Sequence, residues 1–126
     1  MRLGCVPEIP CDPLKLTQVL VNLLVNAADA VHERAGAPGR IRIATRTTRT
    51  RVCIDVEDDG CGIPDQIRDR VFEPFFSTKP SRGTGLGLWL SAGIVENLGG
   101  ALTFRSEVHQ GTCFSVELPK APGGEH

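Results

Sequence analysis

From Asp58 to Gly87 the chain is rich in glycine and proline, and its one short helical pattern falls near Asp65–Val71. A compact domain seldom carries so long an irregular stretch unless the stretch serves a function. The core must therefore be assembled from the residues on either side of it. On the N-terminal side, Asp12-Pro13 reads as a helix cap with proline at the first helical position, and Leu16, Val19, Leu20, Leu23, Ala27 and Val31 then recur at helical spacing to about Arg34. Two alternating segments follow. Ile41, Ile43, Thr45 and Thr47 face one way, and Val52, Ile54 and Val56 alternate with Cys53, Asp55 and Glu57. They predict a hairpin with one buried and one charged face, whose arginines pair with Asp55 and Glu57 rather than forming a binding patch. On the C-terminal side, a helix over Leu86–Leu98 closes on Gly99-Gly100, and strands at Ala101–Ser106 and Thr112–Leu118 meet at a turn around Gln110-Gly111. Pro7 and Pro10 limit any first strand to Met1–Val6. The order β-α-β-β-loop-α-β-β predicts an α/β two-layer sandwich with its helices on one sheet face.

The 126 residues are enough for one domain, expected over 1–119 with a frayed tail at 120–126. An apolar share of 40% with 23% charged residues excludes a disordered chain. A net charge of -1 leaves no electrostatic footprint for nucleic acid or an acidic membrane. The five cysteines form no CxxC, lie beside no histidine cluster and follow no signal peptide, so reduced thiols and a cytoplasmic setting are expected. No apolar run is counted as reaching the roughly 20 residues of a bilayer span, so no membrane contact is expected of this segment, although a larger parent could be anchored elsewhere.

Three segments could carry chemistry. Asn22 and Asn26 stand four apart on an otherwise apolar helix, with Asp29 three further on. Such amides are either satisfied as a polar seam or, as hard oxygen donors, suited to Mg²⁺ held together with phosphates. Asp58-Asp59-Gly60-Cys61-Gly62-Ile63-Pro64 follows a strand directly. It is either a glycine turn or a carboxylate placed to accept from an adenine amino group, with glycines that let backbone approach a flat base. Gly83-Thr84-Gly85-Leu86-Gly87-Leu88 runs into a helix and could present backbone N–H groups to phosphate. Its GxGxG spacing is neither the GxGxxG of dinucleotide folds nor a P-loop, so a nucleotide site here belongs to another class. Between the last two segments lies Phe72-Glu73-Pro74-Phe75-Phe76-Ser77-Thr78-Lys79, three phenylalanines in an expected loop that suggest a docking surface. Lys79 and Arg82 could reach phosphate oxygens or serve as solvated loop charges.

In this order the segments resemble the ATP-binding catalytic domain of bacterial sensor histidine kinases, of the superfamily shared with DNA gyrase, heat-shock chaperone and mismatch-repair ATPases. The N box is similar to Leu16–Ala27, the two glycine boxes to Asp58–Pro64 and Gly83–Leu88, the F box to Phe72–Lys79 and a last block to Gly111-Thr112-Cys113-Phe114. The F box resembles the nitrogen-regulation type. The resemblance covers Asp12 to Pro119 and implies a Bergerat-type mixed sheet on about three helices, with an ATP lid and a truncated first strand. It implies ATP and Mg²⁺ as cofactors. Asn26 would hold the metal, with Asn22 in the phosphate region. Asp58 would bind the adenine amino group, Gly60, Gly62 and Ile63 would line the base, and Thr112 would order water beside it. Lys79, Arg82 and Gly83, Thr84, Gly85, Leu86, Gly87 and Leu88 would surround the phosphates. Asp29 stands where many relatives carry a phosphate-reaching lysine.

Hydrolytic members resemble one another in a glutamate where this chain has Asn22, and an amide cannot serve as a general base. The resemblance therefore implies transfer of the γ-phosphoryl group to a histidine on a separate dimerisation domain, docked through Phe72, Phe75 and Phe76, with a response regulator downstream. His32, His109 and His126 lie in no pattern resembling the phosphoacceptor motif, so no catalytic residue is assigned within the chain. A non-transferring nucleotide sensor and a hydrolytic ATPase are the alternative readings.

Overall fold

The computed structural model describes residues 13–33, 39–73 and 87–120. Helix α1 spans Pro13–Glu33, strands β1 and β2 span Ile41–Thr47 and Arg51–Asp58, and a 3₁₀ helix covers Asp65–Arg70. Helix α2 runs over Gly87–Asn97, and strands β3 and β4 over Ala101–Glu107 and Gly111–Pro119. Every element expected within the described residues is found within a residue or two of its predicted bounds. The strand expected at Met1–Val6 and the tail 121–126 lie outside those residues.

The strands form one open sheet in the order β1-β2-β4-β3, antiparallel at each of its three pairings. The last strand in sequence is thus a central one. Val52, Ile54 and Val56 of β2, Phe114, Val116 and Leu118 of β4, and Leu102 of β3 pack with Val19, Leu20, Leu23 and Ala27 of α1 and Val95 of α2. The four α1 residues follow helical spacing, so a single stripe enters the core. The window Pro13–His32 has a mean hydropathy of 1.3 over 20 residues, so α1 is long and apolar enough by those measures to cross a bilayer, contrary to the sequence expectation. Leu23 and Val19 are instead fully buried against the sheet.

The hairpin departs from expectation on one strand. β2 buries its inward side chains, but all seven residues of β1 are exposed, including inward-facing Ile41 and Ile43 at 39% and 37%. Among the described residues β1 is one of two edge strands, and unlike β3, which sends Leu102 into the core, it contributes no residue to the core cluster. Its charged side pairs as predicted: Arg46 donates to Asp55 at 2.8 Å and Arg42 meets Glu57 at 2.9 Å. Arg46 and Ser115 hold the Asp55 carboxyl below its ordinary pKa. Cys53 and Cys113 are buried on this outer face, each between longer cross-strand neighbours, and with Cys61 they are free thiols.

Phe72 also packs inward, against the sheet. Predicted to face a partner, it is half-buried and meets Phe104 and Phe114 edge-on, with ring centroids 5.7 and 6.4 Å away. Its ring is worth more against these two than in solvent, because edge-to-face pairs add to burial.

Helix α2 closes as a Schellman motif. The N–H of Gly99 donates to Glu96 at 2.9 Å and that of Gly100 to Val95 at 3.0 Å, with Gly99 at φ 86. Within the same helix Gly93 is exposed, and a Cβ there would meet nothing within 4 Å. Gly93→Ala is therefore expected to stabilise the domain by about 0.5–1 kcal/mol through helix propensity, read as a higher denaturation midpoint with unchanged m-value.

Candidate nucleotide site

Asp58 is the last residue of β2 and points to the helix side of the sheet, only 6% exposed. Its Oδ1 accepts the N–H of Gly60 at 2.8 Å, and the backbone amide of Thr112, its partner in the β2–β4 register, also donates to the carboxylate. These donors favour the ionised form, yet burial outweighs them and pushes the Asp58 carboxyl above its ordinary value. A buried carboxylate with acceptor capacity left over is suited to a ligand that brings its own N–H.

The turn after β2 is clamped from two sides. Cys61 N–H donates to the Ala30 carbonyl of α1 at 3.3 Å, and the Cys61 carbonyl accepts from His109 N–H at 2.8 Å in the β3–β4 turn. Gly62, at φ 79, passes so close to that turn that a Cβ would lie 2.3 Å from the Glu107 carbonyl oxygen. Gly111, at φ 129, approaches the Asp58 carbonyl oxygen equally tightly, with an added Cβ 2.0 Å away. Ile63 packs partly buried against the core beyond Gly62. Asp58, Gly60, Gly62, Ile63 and Thr112 thus converge at one end of the sheet.

Ala30 stands one turn beyond Asn26 and two beyond Asn22 on the same face of α1. The rise of an α-helix puts roughly 12 Å between Asn22 and Ala30. One helix face therefore connects the Asp58 turn to the start of α2. There the Asn22 Nδ2 donates to Ser91 Oγ at 3.1 Å and lies 3.4 Å from the Gly87 carbonyl. Asn22 is accordingly a tie between the two helices, with its amide oxygen left for other use. Asn26 is half-buried, and its side-chain amide has no hydrogen-bond partner among the described residues. Leu88 packs partly buried against the core, which anchors the first turn of α2. Lys79, Arg82, Gly83, Thr84, Gly85 and Leu86 lie outside the described residues, as do Phe75 and Phe76.

Sequence reasoning did not single out Ser91 or Ser106. Ser91 is completely buried one turn before Val95 on α2, and Ser106 is buried at an inward position of β3 after Leu102 and Phe104. A polar residue in an apolar phase was the available signal in both cases. A cleft of about 680 Å³ opens at this same end of the sheet, lined by Arg40, Arg42, Glu57 and Arg105 and also by Asp58, Ser106, Gly111 and Thr112. Its floor includes the charged outer sheet face, where Arg42 and Glu57 already satisfy each other.

Residues 11–122 match the family described as histidine kinase-, DNA gyrase B-, and HSP90-like ATPase. The sensor histidine kinase ZraS of Escherichia coli K12 is 41% identical over 114 residues, which cover 90% of this chain and 23% of that protein. The chain thus spans under a quarter of that curated relative. Among solved structures, the catalytic domain of histidine kinase ThkA superposes with a TM-score of 0.76 at 35% identity, covering 90% of this chain and 73% of that one. Full-length ShkA in complex with AMPPNP gives a TM-score of 0.80 at 32% identity, covering 92% of this chain and 24% of that one.

Proposed function

Because the chain belongs to the histidine kinase-, DNA gyrase B-, and HSP90-like ATPase family and its relatives include sensor histidine kinases, we propose that it holds Mg-ATP and presents the γ-phosphoryl group to a histidine on a separate phosphoacceptor domain. The observation that carries the reading is Asp58, a buried carboxylate at the mouth of a glycine turn facing α1. Its charge is useful only to a ligand that donates to it, as the adenine amino group does. Gly60, Gly62 and Ile63 would line the base, and Thr112 would sit beside it. Asn22 supports transfer over hydrolysis. Its amide nitrogen donates across to α2, and no amide accepts a proton from water near neutral pH.

The donor set at Asn26 fits Mg²⁺, whose coordination uses few protein oxygens together with substrate phosphates. When bound, the ion would neutralise phosphate charge. The chain's own residues would position the nucleotide: Asp58 orients the base, Asn26 offers an oxygen, and Asn22 holds the start of α2 against α1. Gly83–Leu88, Lys79 and Arg82 would close over the phosphates, and Phe75 and Phe76 would face the acceptor domain. The site would lie in the cytoplasmic portion of a sensor whose product passes to a response regulator. The domain would run over 1–119, with 120–126 as tail.

Incubation with labelled ATP tests the reading. The chain alone should bind Mg-ATP, release little phosphate and take up no label. An oriented nucleophile accounts for several kcal/mol of such a barrier, and that nucleophile would be supplied by the acceptor domain. Adding that domain should give an acid-labile, base-stable phosphohistidine on it. Rapid phosphate release by the chain alone would make it a hydrolase, and binding without transfer to the acceptor would make it a nucleotide sensor. Asn26→Ala should weaken Mg-ATP binding while leaving metal-free ADP binding intact, as followed by calorimetry with and without chelator. Equal weakening of both would remove the metal assignment.

A further inference from the structure

Ser106 is 6% exposed and saturated with polar partners. Its Oγ accepts the Ile63 N–H at 2.7 Å, lies 3.1 Å from the Gly111 carbonyl oxygen, and meets the Thr112 hydroxyl at 2.8 Å. A hydroxyl has one proton and two lone pairs, so these three contacts use its whole capacity. They join three separate pieces of the adenine end: the turn after Asp58, the β3–β4 turn, and the residue that pairs with Asp58 in the sheet. Arg68 stands behind this junction. Its guanidinium donates to the Ser106 carbonyl from the 3₁₀ helix, while its Nε lies 2.7 Å from Asp65.

We infer that Ser106, braced by Arg68, is a positioning residue that sets the purine selectivity of the site by fixing the Thr112 hydroxyl and the Ile63 amide beside Asp58. The inference rests on the adenine reading of Asp58. Residues paired across antiparallel strands hold their side chains about 4.5–5.5 Å apart on one face, which is the relation of Thr112 to Asp58. With Ser106 in place, the Thr112 hydroxyl is engaged on the side away from that carboxylate. Without the Ser106 oxygen, the Thr112 proton is free to turn toward the buried Asp58 carboxylate on the paired strand. It would then compete with the adenine amino group for the same lone pairs. The amide of Ile63 would lose its acceptor at the same time, and the wall against the base would loosen. Adenine presents a donor where guanine presents a carbonyl oxygen. Selectivity depends on Asp58 offering an unshared lone pair there, and Ser106 keeps it unshared.

The test is the ratio of GTP to ATP dissociation constants, measured by calorimetry or nucleotide-competition fluorescence. This ratio is a property of the folded fraction alone, so a partly unfolded variant still reports it. Ser106→Ala should lower the ratio about tenfold, Ser106→Thr, which keeps the hydroxyl, should return it toward the parent value, and Arg68→Ala should lower it in the same direction by less. If Ser106→Ala proves unfoldable, Arg68→Ala decides the matter, and an unchanged ratio there overturns the inference. A fall in melting temperature with an unchanged ratio in Ser106→Ala also overturns it, because Ser106 would then only support the fold. The two readings fail separately. A parent chain that does not distinguish ATP from GTP removes the adenine role of Asp58, whereas a parent that distinguishes them, and Asp58→Asn that does not, leave only Ser106 in question.

Discussion

Asp58→Asn is expected to abolish the preference for ATP over GTP while leaving the fold at least as stable as before. An asparagine oxygen can still accept from Gly60 and Thr112, so the turn keeps its internal bonds. The proposed charge-assisted bond to the adenine amino group would be lost, which should weaken ATP by about 1.5–3 kcal/mol, or roughly 10- to 150-fold in Kd. The amide can also turn its NH₂ outward and donate to the guanine carbonyl oxygen. Stability should move the other way. Burial raises the Asp58 pKa above its ordinary 3.8, so its contribution to stability is fully present below that value and is lost as pH rises through the folded pKa. At neutral pH the ionised carboxylate is a liability of the nucleotide-free fold, and the neutral side chain relieves it. Paired melting curves and ATP/GTP competition at pH 7 check both halves. An ATP preference that survives the change would withdraw the adenine assignment.

Gly111→Ala should do the most damage to the fold. At φ 129 an L-residue is strained, and its Cβ would lie 2.0 Å from the Asp58 carbonyl oxygen, a backbone atom that cannot turn aside. Strain of about 1–2 kcal/mol and overpacking of about 1–3 kcal/mol place the loss at about 2–5 kcal/mol, a fall in Tm on the order of 10 °C. ATP affinity should fall with it, because the strand end that carries Asp58 has to move. Gly93→Ala is the matched control: the same added methyl in open space should raise the melting temperature. Equal melting temperatures for the two variants would contradict the close approach at Gly111.

Most of the fold is legible in the sequence because its signals are local. The stripe from Val19 to Ala27 specifies α1, the alternation from Val52 to Val56 specifies β2, and Gly99-Gly100 marks the end of α2. The clustering of Asp58, Gly62 and Ile63 also follows, since they share one contiguous block, whereas Thr112 joins them only through the β2–β4 pairing. Other features depend on contacts between distant residues, which no periodicity encodes. Ser106 reaches Ile63 across 43 positions and Asn22 reaches Ser91 across 69. Phe72 looks like a loop aromatic until Phe104 and Phe114 stand beside it. The exposure of β1 depends on where the helices lie, since they cover β3 at one edge of the sheet and leave β1 at the other outside the core.

That order also bears on biosynthesis. Among the described residues β3 pairs only with β4, and β2 has β4 on its inner side, so the strand latest in sequence joins pieces made earlier. A nascent chain halted before Gly111 would already contain Asn22, Asn26 and Asp58. It would lack Thr112 and, among the described residues, any strand partner for β3. Such a chain has the β1–β2 hairpin and two helices with no floor to pack on, and non-local pairing of this kind is slow to form. The end of the sheet that gathers Asp58, Ser106 and Thr112 is therefore completed only when β4 enters the sheet.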